Sequence, residues 1–187
     1  MKTLYILAGA NGSGKSTIAR ELLPTENIPY VNADDIAREF CPADMQSVRI
    51  QAGKAARIRT TKLIESGLSF AVESTLSGIG HIKTIEQAHA NGYKVIIIYT
   101  FVDSALDCIA RIQSRVRNGG HPVPDEDVVR RFGRSKTNFW NKYRPLADHW
   151  VLYYNGGNET ILVAEKDKAG KVEIVSENLY TIFKRDL

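Results

Sequence analysis

Near the start of the chain, Gly9-Ala10-Asn11-Gly12-Ser13-Gly14-Lys15-Ser16 has the spacing G-x-x-x-x-G-K-[ST]. Each part has a physical use. Glycines let a backbone turn tightly and aim its N–H groups at phosphate oxygens. A helix beginning near Lys15 turns its positive end toward the same charge. Lys15 suits the β- and γ-phosphates of a nucleoside triphosphate, and the Ser16 hydroxyl is a hard oxygen ligand suited to Mg²⁺. At average glycine usage, a chance match in a chain of this size is on the order of one in a hundred. The alternative is an ordinary Gly-rich strand–helix turn. The pattern makes Gly9, Ala10, Asn11, Gly12, Ser13, Gly14, Lys15, Ser16 and the adjoining Thr17 a candidate nucleotide site, with ATP and Mg²⁺ as its ligands.

Acids stand at the ends of two predicted strands. Asn32-Ala33-Asp34-Asp35 follows the second strand, and Glu73 ends the third. Open α/β sheets bind ligands outside the carboxyl ends of their strands. Both acids should therefore face the crevice that holds the Gly-rich loop. Asp34 can accept a proton from a substrate hydroxyl, and Glu73 can orient Mg²⁺ or hold substrate hydroxyls. Thr75 and Ser77 place further hydroxyls beside Glu73. Plainer readings stay open: Asp34 or Asp35 caps the helix at Ile36, Glu73 joins a surface ion pair, and Thr75 and Ser77 are loop residues. No N-K-x-D segment for guanine recognition occurs. Asp103, after an apolar run, reads as a helix N-cap.

Arginines gather later in the chain. Arg111, Arg115 and Arg117 precede Asn118-Gly119-Gly120-His121-Pro122-Val123-Pro124, and Arg130, Arg131 and Arg134 follow it. A helix, a Gly-Gly hinge and a second helix make the layout of a lid, over roughly residues 111–135, that closes on phosphates. Planar guanidinium groups suit the spread charge of a transferring phosphoryl group. Neighbours on a helix point about 100° apart, so not all of these groups can converge. Arg117 and Arg130 flank the hinge and are the expected pair, with Arg131 as substitute for Arg130. His121 reads as structural. The alternative for the cluster is a solvated face with arginine stems lying along it.

The elements that must position these residues follow from periodicity. Strands are predicted over 4–8, 29–32, 69–74, 94–101 and 149–154, and helices over 15–23, 34–40, 46–66, 81–90, 104–117 and 126–142. Pro24 should stop the first helix and Gly67 the third. Val95-Ile96-Ile97-Ile98-Tyr99 is a continuous apolar run, typical of a strand covered on both faces. In the tail, stretches over 160–165 and 172–175 flank Lys168-Ala169-Gly170 and read as a hairpin at the edge of the main sheet or outside it. A last helix is predicted over 179–183. The alternation implies an α/β fold of the P-loop kinase type: one domain, a three-layer sandwich, a mostly parallel five-stranded sheet and a C-terminal hairpin.

Composition narrows the class. With 43% hydrophobic and 25% charged residues, the chain has the means to form a globular core, which excludes a disordered segment. A net charge of +4 suits an anionic ligand. The absence of a Lys/Arg run argues against a nucleic-acid partner. Cys41 and Cys108 lack metal-site or redox spacing and read as free thiols in a reducing compartment. The first apolar run is broken by Gly9, Asn11, Gly12 and Gly14, and no stretch approaches the ~18 apolar residues of a membrane span. A cytoplasmic protein without a membrane partner is expected.

The segments AGANGSGKST, VNADDIA, FAVESTLSG, RVRNGGHPVPDEDVVRRFGRS and WVLYYNGG occur in this order. Together they resemble the zeta-toxin-like P-loop kinases over most of residues 3–157, and the GGHxVP segment followed by Arg130-Arg131 is the most specific part. The resemblance implies a kinase-type fold and ATP as phosphoryl donor. In zeta toxins proper it implies 3′-phosphorylation of UDP-N-acetylglucosamine. It implies that Asp34 is the substrate-activating acid, Glu73 the second acid, and that arginines from 115–131 belong to the lid. Lys15 and Ser16 become the donor-site pair. Asn155, in Tyr154-Asn155-Gly156 where the family often has Asp-Asn-Ser, falls on the nucleotide side. A toxin of this family also implies a protein antitoxin. Two other readings stand beside a kinase for a UDP-amino sugar. One is a kinase for another small acceptor, such as a nucleoside or a sugar acid. The other is a nucleotide-binding regulatory module with little phosphotransfer.

Overall fold

The computed structural model describes residues 1–22, 28–167, 169–185 and 187. The expected helix stop at Leu23-Pro24 and Lys168 of the tail turn lie outside the described residues. In chain order the elements are β1 (Thr3–Ala8), α1 (Lys15–Leu22), β2 (Tyr30–Val31), α2 (Ala33–Phe40), α3 (Arg49–Ser66), β3 (Phe70–Ser74) and α4 (His81–Ala90). They continue with β4 (Lys94–Phe101), α5 (Ala105–Arg117), α6 (Asp125–Asn138), β5 (His149–Tyr154), β6 (Ile161–Lys166), β7 (Val172–Ile174) and α7 (Glu177–Lys184).

The strands form one sheet in the order β2-β3-β1-β4-β5-β6-β7. The first five in that order run parallel, and β6 and β7 add antiparallel to the free edge of β5. The sheet therefore has seven strands rather than five, because the tail hairpin continues it. Val163 and Ala164 of β6 are fully buried, so leaving the hairpin outside the sheet would expose them.

Alternate residues of β1 serve opposite faces, as the pleat requires. Leu4, Ile6 and Ala8 join a large core with residues of α2, α3, α4 and α7, whereas Leu7 meets Ile18 and Ala19 of α1 on the other face. This covering on both sides is why β4 reads as a continuous apolar run. No helix among the described residues is long and apolar enough to cross a membrane.

Two local expectations give way to tertiary packing. The helix predicted to Lys142 ends at Asn138 and passes through a π turn at Phe139–Tyr143 and a 3₁₀ turn at Arg144–Leu146. The wider turn lets Phe139, Trp140 and Tyr143 all point inward, and all three are buried. Asp103 does not cap α5. Ser104 does, in a reciprocal capping box with Asp107, and Asp103 instead accepts a 2.6 Å hydrogen bond from Tyr154 Oη.

Aromatic packing fixes the tail. Tyr99 of β4 stacks on Phe139 with centroids 4.2 Å apart, and Phe183 of α7 lies edge-on to Tyr99, Phe101 and Phe139. Phe183 is 0% exposed, so Phe183→Ala leaves a cavity beneath α7. The expected loss is about 3–5 kcal/mol by urea denaturation. Leu106→Ala, at a site 73% exposed, should change stability by no more than about 0.5 kcal/mol.

Candidate active site

The Gly-rich loop joins β1 to α1, and its glycines are where other chain segments press against it. Gly12 has φ +83°, and a Cβ there would lie 2.5 Å from the Cys108 carbonyl oxygen of α5. Gly14 has φ +94°, and a Cβ there would meet Asn155 Nδ2 at 1.9 Å. Asn155, just beyond β5, donates from Nδ2 to the Ser13 carbonyl at 2.8 Å. Its present task is thus to brace the phosphate loop itself. Lys15 is buried; its Nζ donates to the Ala10 carbonyl at 3.0 Å and lies 3.8 Å from Glu73 Oε1.

Glu73, at the carboxyl end of β3, is the anionic partner of this loop. Its Oε2 accepts from Ser16 Oγ at 2.9 Å and from Tyr30 Oη. Tyr30 did not stand out in the sequence. The parallel register explains its place: Tyr30 pairs with Ala71, so it shares a face with Glu73 two residues on. Ser16 and Glu73 are hard oxygen donors on one spot, a set that fits Mg²⁺ if phosphate oxygens complete the shell. Among the described residues, no group of three or more His, Cys, Asp and Glu could hold a metal alone, so the nucleotide would have to bring those oxygens.

Capping decides between the two aspartates. Asn32 is the N-cap of α2, and its Oδ1 accepts from the Asp34 backbone N–H at 2.8 Å. Neither Asp34 nor Asp35 is needed there. Asp35 pairs with Arg38 at 2.9 Å on the surface. Asp34 lines the same cleft as Lys15, Ser16 and Glu73, and its Oδ2 lies 3.3 Å from His121 Nε2. Hydrogen bonding to His121 holds the Asp34 carboxyl below the usual carboxylate range. Burial opposes this, and the nearby charges of Lys15 and Arg115 assist. His121, expected to be structural, thus stands against the candidate base.

The cleft has a volume of about 320 Å³, and its arginines are Arg111 and Arg115 of α5. The pair expected to converge, Arg117 and Arg130, is not there. Arg111 and Arg115 are one helical turn apart and share the face toward the phosphate loop, whereas Arg117 lies two residues past Arg115, about 200° around the helix. Arg117 is exposed at the end of α5. Arg130 is half-exposed and pairs with Asp127. Arg131 also pairs with Asp127, at 2.8 Å, and its Nη1 donates to Asn11 Oδ1 at 3.3 Å, so α6 touches the phosphate loop through it. Asp127 further faces Arg49 of α3 at 3.7 Å. Its carboxyl is held low, first by hydrogen bonding from Arg130. Thr75 is not among the residues that line the cleft; its Oγ1 lies 2.9 Å from Ser77 Oγ, in a loop that bends through Leu76 at φ +51°.

Comparisons with known proteins bear on the fold and the family. A protein of Haemophilus influenzae, described as uncharacterized, is 34% identical over 122 residues, which are 65% of this chain and 86% of that one. A nucleotide-binding protein of Salinispora arenicola is 29% identical over 124 residues, 66% of this chain and 37% of its own length. Among solved structures, an AvrRxo1-ORF1:AvrRxo1-ORF2 complex with sulphate ions superposes with a TM-score of 0.80 at 20% identity, over 96% of this chain. The chain spans 62% of that relative's length. The PezAT chromosomal toxin-antitoxin system of Streptococcus pneumoniae superposes with a TM-score of 0.68 at 16% identity, over 100% of this chain and 80% of that one. These likenesses establish the fold, a P-loop kinase-type α/β sandwich. The Zeta toxin family matches residues 1–168, and this chain belongs to that family.

Proposed function

We propose that this chain is an ATP-dependent kinase that transfers the γ-phosphoryl group to a hydroxyl of a small metabolite. A UDP-amino sugar is the first candidate acceptor, on family grounds alone. The observation that carries the reading is the cleft itself. Asp34, released from capping, faces a complete phosphate loop across a space of about 320 Å³.

In this reading the acceptor hydroxyl gives its proton to Asp34 as its oxygen attacks the γ-phosphorus. The bond from the γ-phosphorus to the β–γ bridging oxygen breaks, and ADP leaves. Lys15 stays near the β- and γ-phosphates, exchanging its contact with the Ala10 carbonyl for phosphate oxygens. Bound Mg²⁺ would neutralise phosphate charge, with Ser16 as the ligand from the chain and Glu73 beside it. Arg111 and Arg115 supply planar donors to the transferring group, and Arg131 holds α6 on the loop. Two solved relatives favour the reading by what they contain. One AvrRxo1 complex was solved with ATP, and PezAT is a toxin paired with an antitoxin. A protein antitoxin is accordingly the proposed partner.

Lys15→Ala should abolish ADP formation and weaken Mg-ATP binding in isothermal titration; unchanged affinity would remove the donor-site assignment. Asp34→Asn should lower kcat by roughly 10²–10⁴-fold while ATP affinity stays within a few-fold. Asp35→Asn should be close to wild type, because its carboxylate serves only the pair with Arg38. Equal losses in the two variants would contradict the assignment of the base. ADP release measured across a panel of hydroxyl-bearing metabolites identifies the acceptor class. Silence across the whole panel, with ATP bound, would favour a regulatory module instead.

The arginines separate in the same assay. Arg115→Ala and Arg131→Ala should lower kcat and kcat/KM together, by up to about 10³-fold for a group that meets the transferring phosphoryl. Arg117→Ala should retain near-normal turnover. A steep loss at Arg117 alone would mean that α5 rotates substantially on closure.

A further inference from the structure

We propose that His121 is a positioning residue: it fastens the arginine-bearing segment between α5 and α6 to Asp34, so that the acid is aimed only while that segment is seated over the cleft. The inference rests on the reading of Asp34 as the base, but the contact at its centre can be measured without turnover.

The contact is built rather than incidental. His121 Nε2 lies 3.3 Å from Asp34 Oδ2, and the imidazole is more buried than the acid, at 19% against 52% exposed. The backbone around it is folded to aim the ring. Gly119, at φ +86°, donates to the Val116 carbonyl, and Gly120 donates to the Arg115 carbonyl at 3.0 Å. A Cβ on Gly120 would fall 2.6 Å from Arg115 Cγ, so the loop lies directly on that side chain. Arg115 Nη2 then donates to the His121 carbonyl at 3.0 Å. One arginine thus holds the loop that carries His121 while its own charge acts on Asp34. The other positive group facing Asp34 is Lys15, from the start of α1; Asp35 is engaged with Arg38.

The consequence is geometric first. A carboxylate tethered through Oδ2 keeps Oδ1 for the acceptor hydroxyl, and a small misplacement of a reacting group can cost about 10²-fold. A change in protonation follows. Hydrogen bonding to His121 is the largest cause of the lowered Asp34 carboxyl, whereas burial pushes it up. A base is lost as pH falls through its own pKa. Removing the imidazole leaves burial less opposed, so the acid limb of the rate profile moves to higher pH. A residue that merely supported the loop would not move that limb.

The test uses the full chain with His121→Ala and His121→Gln, the latter keeping an N–H donor. The Asp34 side-chain carboxyl is titrated by ¹³C NMR in the free protein, alongside pH profiles of kcat and kcat/KM for ADP release. We expect the Asp34 midpoint to rise in His121→Ala and to return part of the way in His121→Gln. We expect kcat to fall by about 10²-fold in the alanine variant, with KM for ATP within a few-fold. An unmoved Asp34 midpoint in both variants overturns the inference whatever the activity. A moved midpoint with unchanged kcat overturns the positioning role. If the midpoint moves as expected but wild type forms no ADP with any acceptor, the kinase reading fails while the tether between loop and acid stands. Circular dichroism melting of both variants identifies a folding defect, and the glutamine variant then carries the comparison.

Discussion

A buried ammonium sets the terms for much of this molecule. Lys15 is only 7% exposed, and a charge removed from water needs partners close at hand. Its partners are the Ala10 carbonyl, within the same loop, and Glu73, from a different strand. Glu73 in turn accepts from Ser16 and Tyr30. The chain of contacts therefore joins the carboxyl ends of β1 and β3 to β2 and to the amino end of α1. In the proposed reading a nucleotide would replace these interactions in kind, its phosphates taking the place of Glu73 beside the ammonium and its metal the place of the ammonium beside Glu73.

The arginine-rich segment is tied down on different terms. Asp127 gathers Arg49, Arg130 and Arg131, which links α3 to α6. Arg131 carries the link on to Asn11 in the phosphate loop. At the other end of the segment, Arg115 and His121 connect α5 to Asp34. One attachment ends at Asn11 and the other at Asp34, both of which line the cleft. These pairs are partly buried on one side and solvated on the other, and pairs near the surface contribute little individually, about 1 kcal/mol or less. That weakness would suit the lid expected over residues 111–135.

Family membership and local geometry answer different questions here. The Zeta toxin match covers residues 1–168, and the superposed relatives share the fold at 16–20% identity. Such likeness speaks to the fold. The different surroundings of Asp34 and Asp35 come from this chain's own contacts: Asn32 supplies the cap, Asp35 meets Arg38 and Asp34 meets His121.

The sequence by itself determined whatever depends on neighbours along the chain. The phosphate loop is a contiguous pattern, the alternation of strands and helices is periodic, and β4 announces its burial by an unbroken apolar run. Gly67 stops α3 in the left-handed conformation that its type permits. Contacts between distant residues were decided only by the tertiary structure. Tyr30 reaches Glu73 because β2 pairs with β3 in one register and no other. Asn155 braces Ser13 across 142 residues of chain, and His121 meets Asp34 across 87. That Arg111 and Arg115 line the cleft while Arg117 does not depends on how α5 is rotated against the loop, which its packing through Cys108 and Ile112 fixes. The tail hairpin joined the sheet for a similar reason: the open edge of β5 and the ring of Phe183 needed partners that local propensity does not specify. Helix and strand periods are properties of a few consecutive residues, whereas register, rotation and edge pairing are settled by burial across the whole fold.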